Sequence, residues 1–276
     1  MIILKKAGDI HQLLQQKTGV GFVPTMGALH EGHLSLIRRS KEHDQFTVCS
    51  IFVNPTQFND KKDFEKYPVT ISQDIDMLEK AGCNLLFLPS VEGMYPEGTV
   101  SKTKYELGYL ETILEGAYRP GHFQGVCQVV DRLLQVVTTQ RMYLGQKDYQ
   151  QCMVLKKMIA EKHSGVEVVI SATVRESDGL AMSSRNMRLN EQERKLAVKI
   201  SETLNFIKSN LQNESLEDLK KKANHFLTTE GFKVDYVEIA NADTLESMEK
   251  NDRNAKLVAL IAAYIGEVRL IDNMIL

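Results

Sequence analysis

The sequence lacks the features that mark several large classes of protein. Its 276 residues carry 34 lysines and arginines against 36 aspartates and glutamates, which gives a formal net charge of −2. No global positive field therefore exists to hold a nucleic-acid backbone or an anionic membrane surface. We expect no nucleic-acid partner and no membrane partner.

Long apolar runs are also missing. The longest clearly apolar tract, Leu257–Ile265, is far shorter than the roughly 18 residues that a membrane-spanning helix needs. At the amino terminus, Ile2–Leu4 precedes Lys5 and Lys6, the reverse of the order in a secretory signal. We therefore expect a cytoplasmic protein.

Cysteine is scarce and widely spaced. The four cysteines form no CxxC pair and have no histidine at zinc-ligand spacing: Cys49, Cys83, Cys127 and Cys152. This spacing disfavours the common zinc and thiol-redox motifs, and predicts reduced packing residues. A hydrophobic content of 43% with 25% charged residues is that of an ordinary globular chain.

Short apolar runs alternate with amphipathic stretches through the first two thirds of the chain, a pattern typical of βαβ units. Five runs rich in β-branched or aromatic residues are predicted as strands: Val20–Pro24, Phe46–Val53, Asn84–Leu88, Arg141–Leu144 and Val166–Ile170. A capping box at Thr70 and Gln73 predicts a helix that ends at Gly82, and Val126 to Val137 shows helical spacing. We predict an α/β fold with a Rossmann-like, doubly wound parallel sheet.

The pattern of apolar and polar residues changes after Asn186. Asn190 and Glu193 form a capping-box pair, and a lysine-rich helix is predicted from Leu216 to near Gly231. The predicted strands here are Val234–Ala240, Leu257–Ile265 and Val268–Ile271, with a turn at Gly266. We predict two domains, a larger α/β domain over residues 1–185 and a small α+β domain over residues 186–276.

The loops that follow the predicted strands are the place to look for chemistry, because open α/β sheets bind ligands beyond the carboxyl ends of their strands. The first loop runs from Pro24 to His33 and passes from strand into helix. His30 and His33 there, with Gly32 between them, suit a polyphosphate held at a helix amino terminus. The alternatives are a pair of capping or surface histidines, or a zinc site, for which no third ligand is evident.

The second loop offers two carboxamides, Asn54 and Gln57, beside Pro55. Amides can bind a carboxylate and hydroxyls without adding charge. An Asn-Pro pair is also a common turn, so the loop alone does not decide between binding and structure.

Two further loops carry cationic side chains. Lys147 lies in the loop that begins at Gly145, and Gln151 follows it by one helical turn. The segment Met182–Asn186 places two hydroxyls and a guanidinium on one short loop, an arrangement that can clamp phosphate. Each loop can also be read as ordinary solvated structure.

The combination of motifs resembles the pantothenate synthetase family. The segments that carry the resemblance are PTMGALHEGH at 24–33, FVNPTQF at 52–58, RPGHFQGV at 119–126, GQKDYQQ at 145–151 and DGLAMSSRN at 178–186. The later segments DYVEIANADTLE and RLIDN look like that family too. HEGH is a variant of the HIGH signature of the wider nucleotidyltransferase superfamily, and Met182–Arg185 resembles its KMSKS-type loop. Two small departures are Gln124 and the Ser171–Thr173 segment, and neither is a proposed catalytic position.

The resemblance implies a cytoplasmic homodimer that joins pantoate to β-alanine with ATP and Mg²⁺, through a pantoyl adenylate, and releases AMP and pyrophosphate. The catalytic positions that match are His30, His33, Lys147, Ser183 and Arg185. His33 is expected to act as general acid or to stabilise phosphate charge. Gln57 and Gln151 are expected to hold pantoate or β-alanine, with Asn54 close by, and Asp74 is expected to bind Mg²⁺.

The resemblance also implies which residues line the ATP site. They are Pro24, Thr25, Met26, Gly27, Ala28, Leu29, His30, Glu31, Gly32, His33, Gly145, Gln146, Lys147, Asp148, Val174, Met182, Ser183, Ser184 and Arg185.

Three rival functions remain open on the sequence. Another nucleotidylyltransferase of the HIGH superfamily would need a basic acceptor pocket, whereas this chain offers Asn54 and Gln57. A tRNA synthetase would need an anticodon-binding appendage and a basic surface. A noncatalytic ATP-sensing module would bind ATP without needing the amide pocket.

Overall fold

The computed structural model describes residues 1–100, 103–250 and 255–276. These residues divide into two compact units. The first comprises Met1–Gln146 with Gln150–Ala172, and the second comprises Lys147–Tyr149 with Thr173–Leu276. The boundary predicted between residues 185 and 186 lies inside the second unit. The physical reason is that Leu180, which precedes the change in residue pattern at Asn186, is already buried in the apolar core of the second unit.

The first unit is built on a six-stranded sheet in which every neighbouring pair of strands runs parallel. The strands are β1 (Ile2–Leu4), β2 (Val20–Thr25), β3 (Phe46–Ile51), β4 (Leu85–Phe87), β5 (Arg141–Gly145) and β6 (Glu167–Ser171). The five predicted strands are confirmed. The sequence pattern missed β1, because three residues are too few to show a period.

Helices cover both faces of this sheet. They are α1 (Ala7–Leu14), α2 (Glu31–His43), α3 (Lys61–Glu65), α4 (Ile71–Lys80), α5 (Val91–Met94), α6 (Leu114–Tyr118), α7 (His122–Val136) and α8 (Tyr149–Lys162). Successive strand residues such as Phe22 and Val23 enter different core clusters, as side chains that alternate across a sheet must. Helices α1, α7 and α8 contribute to one cluster, and α2 and α4 to the other. The doubly wound prediction is confirmed.

The strand order creates a switch point beside β2. The order across the sheet is β1-β4-β3-β2-β5-β6, so β2 has β3 on one side and β5 on the other. The chain winds away from β2 in both directions, and ligands of open α/β folds bind in the crevice at such a point. The loops that follow β2 and β5 both leave the sheet there.

The second unit combines a three-stranded antiparallel sheet with helices. Its strands β7 (Lys233–Asn241), β8 (Leu257–Ile265) and β9 (Val268–Ile275) pair in that order, and its helices are α9 (Glu191–Ala197), α10 (Lys199–Asn210) and α11 (Leu216–Thr229). The predicted α+β class is confirmed. Strand β9 continues past the predicted end at Ile271 because Asp272 and Asn273 keep the pairing with β8.

Two of the predicted helix signals had different outcomes. Asn190 and Glu193 form the predicted capping box at α9. Thr70 makes no side-chain cap bond at α4, so that prediction is wrong. Its hydroxyl donates instead to Asp74 Oδ1 at 3.0 Å. Gly82, just beyond α4, has the expected left-handed φ of 77°.

The cysteines pack as predicted. All four are free and buried. Burial raises the pKa of Cys83 to about 11 and that of Cys127 to about 12, so these thiols stay protonated at neutral pH.

Across the described parts of the chain, every helix is too short or too polar to cross a bilayer.

Candidate active site

The loop after β2 has an unusual backbone. Gly27 and Ala28 both have left-handed φ angles, 84° and 48°. Ala28 is strained there because its Cβ crowds the following carbonyl. A Cβ on Gly27 would also lie 3.0 Å from Ile51 Cγ2 and 3.1 Å from Asp74 Oδ2. This turn therefore depends on glycine at position 27 and on outside support at position 28.

Asp74 supplies that support. Its buried carboxylate accepts the backbone N–H of Ala28 at 3.0 Å on Oδ2 and that of Leu29 at 2.8 Å on Oδ1. Thr70 donates its hydroxyl to the same Oδ1. Charge-assisted bonds of this kind are about twice as strong as neutral ones. The structure gives Asp74 an anchoring role that the sequence did not indicate.

The two histidines close the first turn of α2. His30 is the N-cap, and its Nδ1 accepts the N–H of Gly32 at 3.2 Å. His33 Nδ1 accepts the N–H of His30 at 3.3 Å. An Nδ1 that accepts a hydrogen bond is unprotonated, so each neutral ring carries its proton on Nε2. Both histidines therefore cap this turn, and in this tautomer each Nε2 is a hydrogen-bond donor.

These rings lie together at the helix start. Their centroids are 4.1 Å apart with an angle of 44° between the planes. A helix amino terminus carries partial positive charge and favours an anion. Glu31, in the first turn, is paired with Arg38 at 2.8 Å on the exposed side of α2. The arrangement suits phosphate oxygens that accept from two imidazoles.

Asn54 is buried and fully engaged in the loop after β3. Its Oδ1 accepts from the Tyr95 hydroxyl at 2.8 Å and from Thr56, and its Nδ2 donates to the Gly125 carbonyl at 3.2 Å. The same Nδ2 donates to Gln57 Oε1 at 3.1 Å. Asn54 therefore orients Gln57, and its place close to the pantoate site stays a prediction.

Gln57 ends a short 3₁₀ helix, Pro55–Gln57. Its Nε2 lies 3.0 Å from Met26 Sδ, which places it beside the loop that follows β2. Its backbone carbonyl accepts from His122 Nδ1 at 2.8 Å. Asn54 thus fixes the side-chain amide of Gln57, and His122 fixes its backbone carbonyl.

Sequence reasoning gave His122 no role, although RPGHFQGV contributed to the resemblance. His122 is buried at the start of α7, and its Nε2 lies 3.0 Å from an amino group of Arg119. Arg119 in turn pairs with Glu115 at 3.5 Å. Because Gln57 O can only accept and Arg119 can only donate, His122 is neutral with its proton on Nδ1. The spacing in the sequence held no signal for this chain of contacts.

Gly125 allows α7 to touch the Gln57 loop. A Cβ at this position would lie 2.2 Å from the carbonyl oxygen of Thr56 and 2.6 Å from its carbon. Backbone cannot yield as a flexible side chain can. Glycine here thus permits the contacts that hold both Asn54 and Gln57.

Neighbouring glutamines at the start of α8 have different surroundings. Gln150 is buried, accepts the N–H of Glu115 and donates to the carbonyls of Leu110 and Ile113. Gln151 is only half-buried, and its amide forms no hydrogen bond within the described ranges. Gln151, the residue predicted to bind pantoate, retains its polar groups for a ligand.

Of the remaining predicted residues, Gly145 and Gln146 belong to the first unit and the others to the second. Lys147 and Asp148 lie in the short 3₁₀ helix Gln146–Asp148, with Lys147 Nζ 3.7 Å from Asp148 Oδ1. Val174 and Met182 are brought together by a bond from Met182 N to Val174 O at 3.0 Å. Both belong to the predicted ATP site.

The loop after Met182 has a defined start. Ser183 caps the 3₁₀ helix Ser184–Arg188 by accepting the N–H of Arg185 at 3.3 Å. Ser184 is buried. The Ser183 hydroxyl oxygen therefore accepts from the backbone of Arg185, while its O–H can donate to another group.

No cluster of three or more histidine, cysteine, aspartate or glutamate side chains that could hold a metal occurs in residues 1–100, 103–250 and 255–276. Three donors already occupy Asp74. The described residues do not form a protein cage for Mg²⁺. The assignment of Asp74 as a Mg²⁺ ligand stays a prediction.

Comparisons with known proteins agree on one family. The model of the family described as pantoate-beta-alanine ligase matches residues 3–275. A curated relative from Bacteroides fragilis, pantothenate synthetase, is 43% identical over 267 residues, covering 96% of this chain and 94% of its own.

Solved structures give the same result. Pantothenate synthetase from Thermus thermophilus is 41% identical, with a TM-score of 0.93 and 99% of each chain covered. The Francisella tularensis pantoate-beta-alanine ligase, complexed with beta-gamma ATP and beta-alanine, is 37% identical, with a TM-score of 0.84 and coverage of 100% of this chain and 97% of its own. The chain belongs to the pantoate–beta-alanine ligase family, the pantothenate synthetases.

Proposed function

We propose that the protein condenses pantoate with β-alanine in an ATP-dependent reaction, through a pantoyl adenylate, and releases AMP and pyrophosphate. The observation that carries this proposal is the loop before α2. Its two imidazoles each carry an Nε2 donor at a helix start, and Gln57 lies beside Met26 of the same loop. Family membership and the ATP and β-alanine complex of the Francisella relative support the substrates.

In the first half-reaction a carboxylate oxygen of pantoate attacks the α-phosphorus, and the bond to pyrophosphate breaks. Negative charge grows on the phosphate oxygens, and fixed donors lower its energy without reorganising. His30 and His33 would donate hydrogen bonds from Nε2 to these oxygens, and each neutral ring would keep its proton while it stabilises the charge. Lys147, Ser183 and Arg185 would supply further charge and hydrogen bonds.

Gln57 and Gln151 would hold pantoate through neutral amides. An arginine clamped on the reacting carboxylate would stabilise the ground state and blunt the nucleophile, whereas an amide orients it with less ground-state stabilisation. Asn54 and His122 fix Gln57 in place. In the second half-reaction the β-alanine amine attacks the acyl carbon, the bond from that carbon to the oxygen of AMP breaks, and the proton that the amine loses passes to solvent.

Mg²⁺ would enter with the triphosphate, held by phosphate oxygens and water, the usual mode for this ion in phosphoryl chemistry. The carboxylate of Asp74 already accepts three hydrogen bonds and takes no part in either half-reaction.

We propose further that the protein is a cytoplasmic homodimer. The terminal strand β6 exposes 42% of Ile170, and edge strands with apolar side chains are commonly covered by another chain. Light scattering coupled to size exclusion measures the mass directly. A monomeric mass at working concentration would contradict the dimer.

The test of the function is exchange of labelled pyrophosphate into ATP with pantoate present and β-alanine absent. Pantoate-dependent exchange is expected, and it would exclude the noncatalytic ATP-sensing module. Folded protein that binds ATP and shows no exchange would overturn pantoate as the acceptor. Exchange supported by a phosphorylated acceptor instead would favour another nucleotidylyltransferase.

A further inference from the structure

Two adjacent polar residues are buried in the last strand of the second unit. Asp272 and Asn273 lie in β9, which is otherwise largely apolar, and both are almost fully inaccessible to solvent. Buried polar groups are destabilising unless each is hydrogen-bonded. Their partners therefore show what the pair is for.

Asn273 holds the backbone of Lys147. Its Nδ2 donates to the Lys147 carbonyl at 2.8 Å. Lys147 lies 126 positions earlier in the chain and belongs to the same compact unit as Asn273. A buried amide that binds the main chain fixes where the lysine side chain starts, whatever the conformation of that side chain.

Asp272 holds a second segment through Arg175. The two guanidinium nitrogens donate to Oδ2 at 2.6 Å and to Oδ1 at 3.0 Å. Such a paired geometry fixes orientation as well as distance. Arg175 also donates to the Gly179 carbonyl at 3.1 Å and to the Asn273 carbonyl at 3.3 Å.

Arg175 lies in a small hairpin that leads into the Met182–Arg185 loop. A bridge joins Arg175 to Ala181, Glu176 N donates to Leu180 O, and Met182 N donates to Val174 O. The residue next to Ala181 is thus Met182, the first residue of that loop. Through Arg175, Asp272 fixes the base from which Ser183 and Arg185 extend.

We propose that Asp272 and Asn273 are positioning residues that set the Lys147 backbone and the base of the Met182–Arg185 loop for the nucleotide. One dipeptide thereby fixes the starting points of three of the five groups assigned to phosphate chemistry. This inference rests on the proposed function, since Lys147, Ser183 and Arg185 act there on ATP.

Charge adds to the geometry. Burial raises the pKa of Asp272, whereas its bonds to Arg175 and the positive charge of Lys147 act in the opposite direction. The carboxylate and the Lys147 ammonium therefore attract each other within the second unit. Loss of the negative charge of Asp272 would weaken its bonds to Arg175 in the hairpin and remove its attraction for the Lys147 ammonium.

A second ion pair of the same sheet serves as the matched control. Arg269 Nε donates to Asp235 Oδ2 at 2.7 Å, and both side chains are largely buried. This pair joins β7 to β9, whereas Asp272 joins β9 to the hairpin through Arg175. Asp235→Asn and Asp272→Asn therefore remove the same charge from one sheet, and the second variant is the one that weakens the bond to Arg175.

The experiment measures pantoate-dependent pyrophosphate exchange in wild type, Asn273→Asp, Asp272→Asn and Asp235→Asn. The carboxylate in Asn273→Asp faces the Lys147 carbonyl and removes its donor. We expect kcat to fall by roughly 100-fold, the loss typical of a misplacement of about 1 Å. The ATP KM is expected to rise, whereas the pantoate KM stays within about twofold, a change of under 0.5 kcal/mol.

Each outcome decides between the alternatives. Loss of exchange in both Asn273→Asp and Asp272→Asn, with exchange by Asp235→Asn near that of wild type, supports the positioning role. Equal rates in all folded variants, or equal losses in Asp272→Asn and Asp235→Asn, overturn it. Should Asn273→Asp fail to fold, the smaller and neutral Asn273→Ser replaces it at a temperature where circular dichroism shows folded protein.

Calorimetry of ATP binding separates this inference from the proposed function. Wild type that binds ATP and gives no pantoate-dependent exchange contradicts the function. In that case weaker ATP binding by Asp272→Asn than by Asp235→Asn still supports positioning, and equal binding contradicts it.

Discussion

Two buried aspartates in the first unit, one at each end of the sheet, differ in what they bind. Asp44 follows α2 at the amino ends of the strands and accepts from side chains: Arg141 at 2.9 Å, the Tyr143 hydroxyl at 2.5 Å and Ser40 at 3.3 Å. Asp74 lies at the carboxyl ends and accepts two backbone N–H groups. The first ties elements of the scaffold together, and the second shapes a loop.

The contrast explains why burial alone does not identify a functional residue. Near Asp44 the packing is so close that a Cβ on Gly21 would lie 2.2 Å from both Asp44 Oδ2 and Ser40 Oγ. That network lies at the amino ends of the strands, whereas the predicted ligand groups of this unit follow their carboxyl ends. Its loss should weaken the fold without changing the chemistry, whereas changes at the other end should lower the activity.

The largest expected effect is at the carboxyl end. His33→Ala removes the Nε2 donor, and turnover should fall by about 10²–10³-fold, the usual loss when one fixed donor to developing charge is removed. Because His33 lies in the first turn of α2 and is only partly buried, the melting temperature should change little. Steady-state rates and thermal denaturation measure the two quantities, and near wild-type turnover would contradict the role of His33.

Asp44→Ala tests the opposite end. Removing one member of a buried, charged network leaves Tyr143 and Arg141 without this acceptor and should cost about 3 kcal/mol of unfolding free energy. Urea denaturation gives that number. The kcat of the protein that stays folded should match wild type, and a fall in kcat equal to that of His33→Ala would erase the distinction between the two ends.

Asp74→Asn sharpens the comparison because it keeps the shape of the side chain. The amide retains one acceptor but loses the charge that binds Ala28 and Leu29, so the left-handed turn loses its support. We expect exchange to fall by roughly tenfold to 100-fold, with about 1–3 kcal/mol of stability lost. A loss of stability with unchanged exchange would place Asp74 with Asp44 as a scaffold residue.

Gln57→Ala isolates the pantoate side of the carboxyl end. We expect the pantoate KM to rise by about tenfold, the worth of one to two hydrogen bonds, with the ATP KM mostly retained. Substrate titrations in the exchange assay give both constants. An unchanged pantoate KM would remove Gln57 from the binding site.

The smallest expected effect is on pH dependence. Burial raises the pKa of Tyr95 to about 12, against about 10 in an unfolded chain. The folded state holds the proton more tightly, so this contribution to stability is complete below about pH 10 and is lost as the pH rises toward 12. Tyr95→Phe should show a shallower loss of melting temperature over that interval than wild type, and an identical slope would contradict it.

The sequence predicts elements well where local pattern and packing agree. Leu257–Ile265 is an unbroken apolar run, and the structure has a strand with those same bounds. Asn190 and Glu193 satisfy each other within one helical turn, so distant partners did not compete. Such signals depend only on neighbours along the chain.

Prediction failed where a contact depends on the fold. Thr70 does not cap its helix; its hydroxyl donates to the carboxylate of Asp74, a side chain whose backbone partners, Ala28 and Leu29, the sequence does not show. The roles of Asn54 and His122 depend on contacts to Gly125 and Gln57 across the first unit. The motifs located the candidate site, and only the fold showed which polar residues brace it.

The histidine cap on α2 gives two ring nitrogens a second consequence. The Nδ1 atoms of His30 and His33 accept backbone N–H groups of the first helical turn, so the same bonds that cap the helix also fix the tautomer, with the proton on Nε2. A change that frays this turn would therefore also release the rings from the orientation in which both Nε2 donors lie together at the helix start.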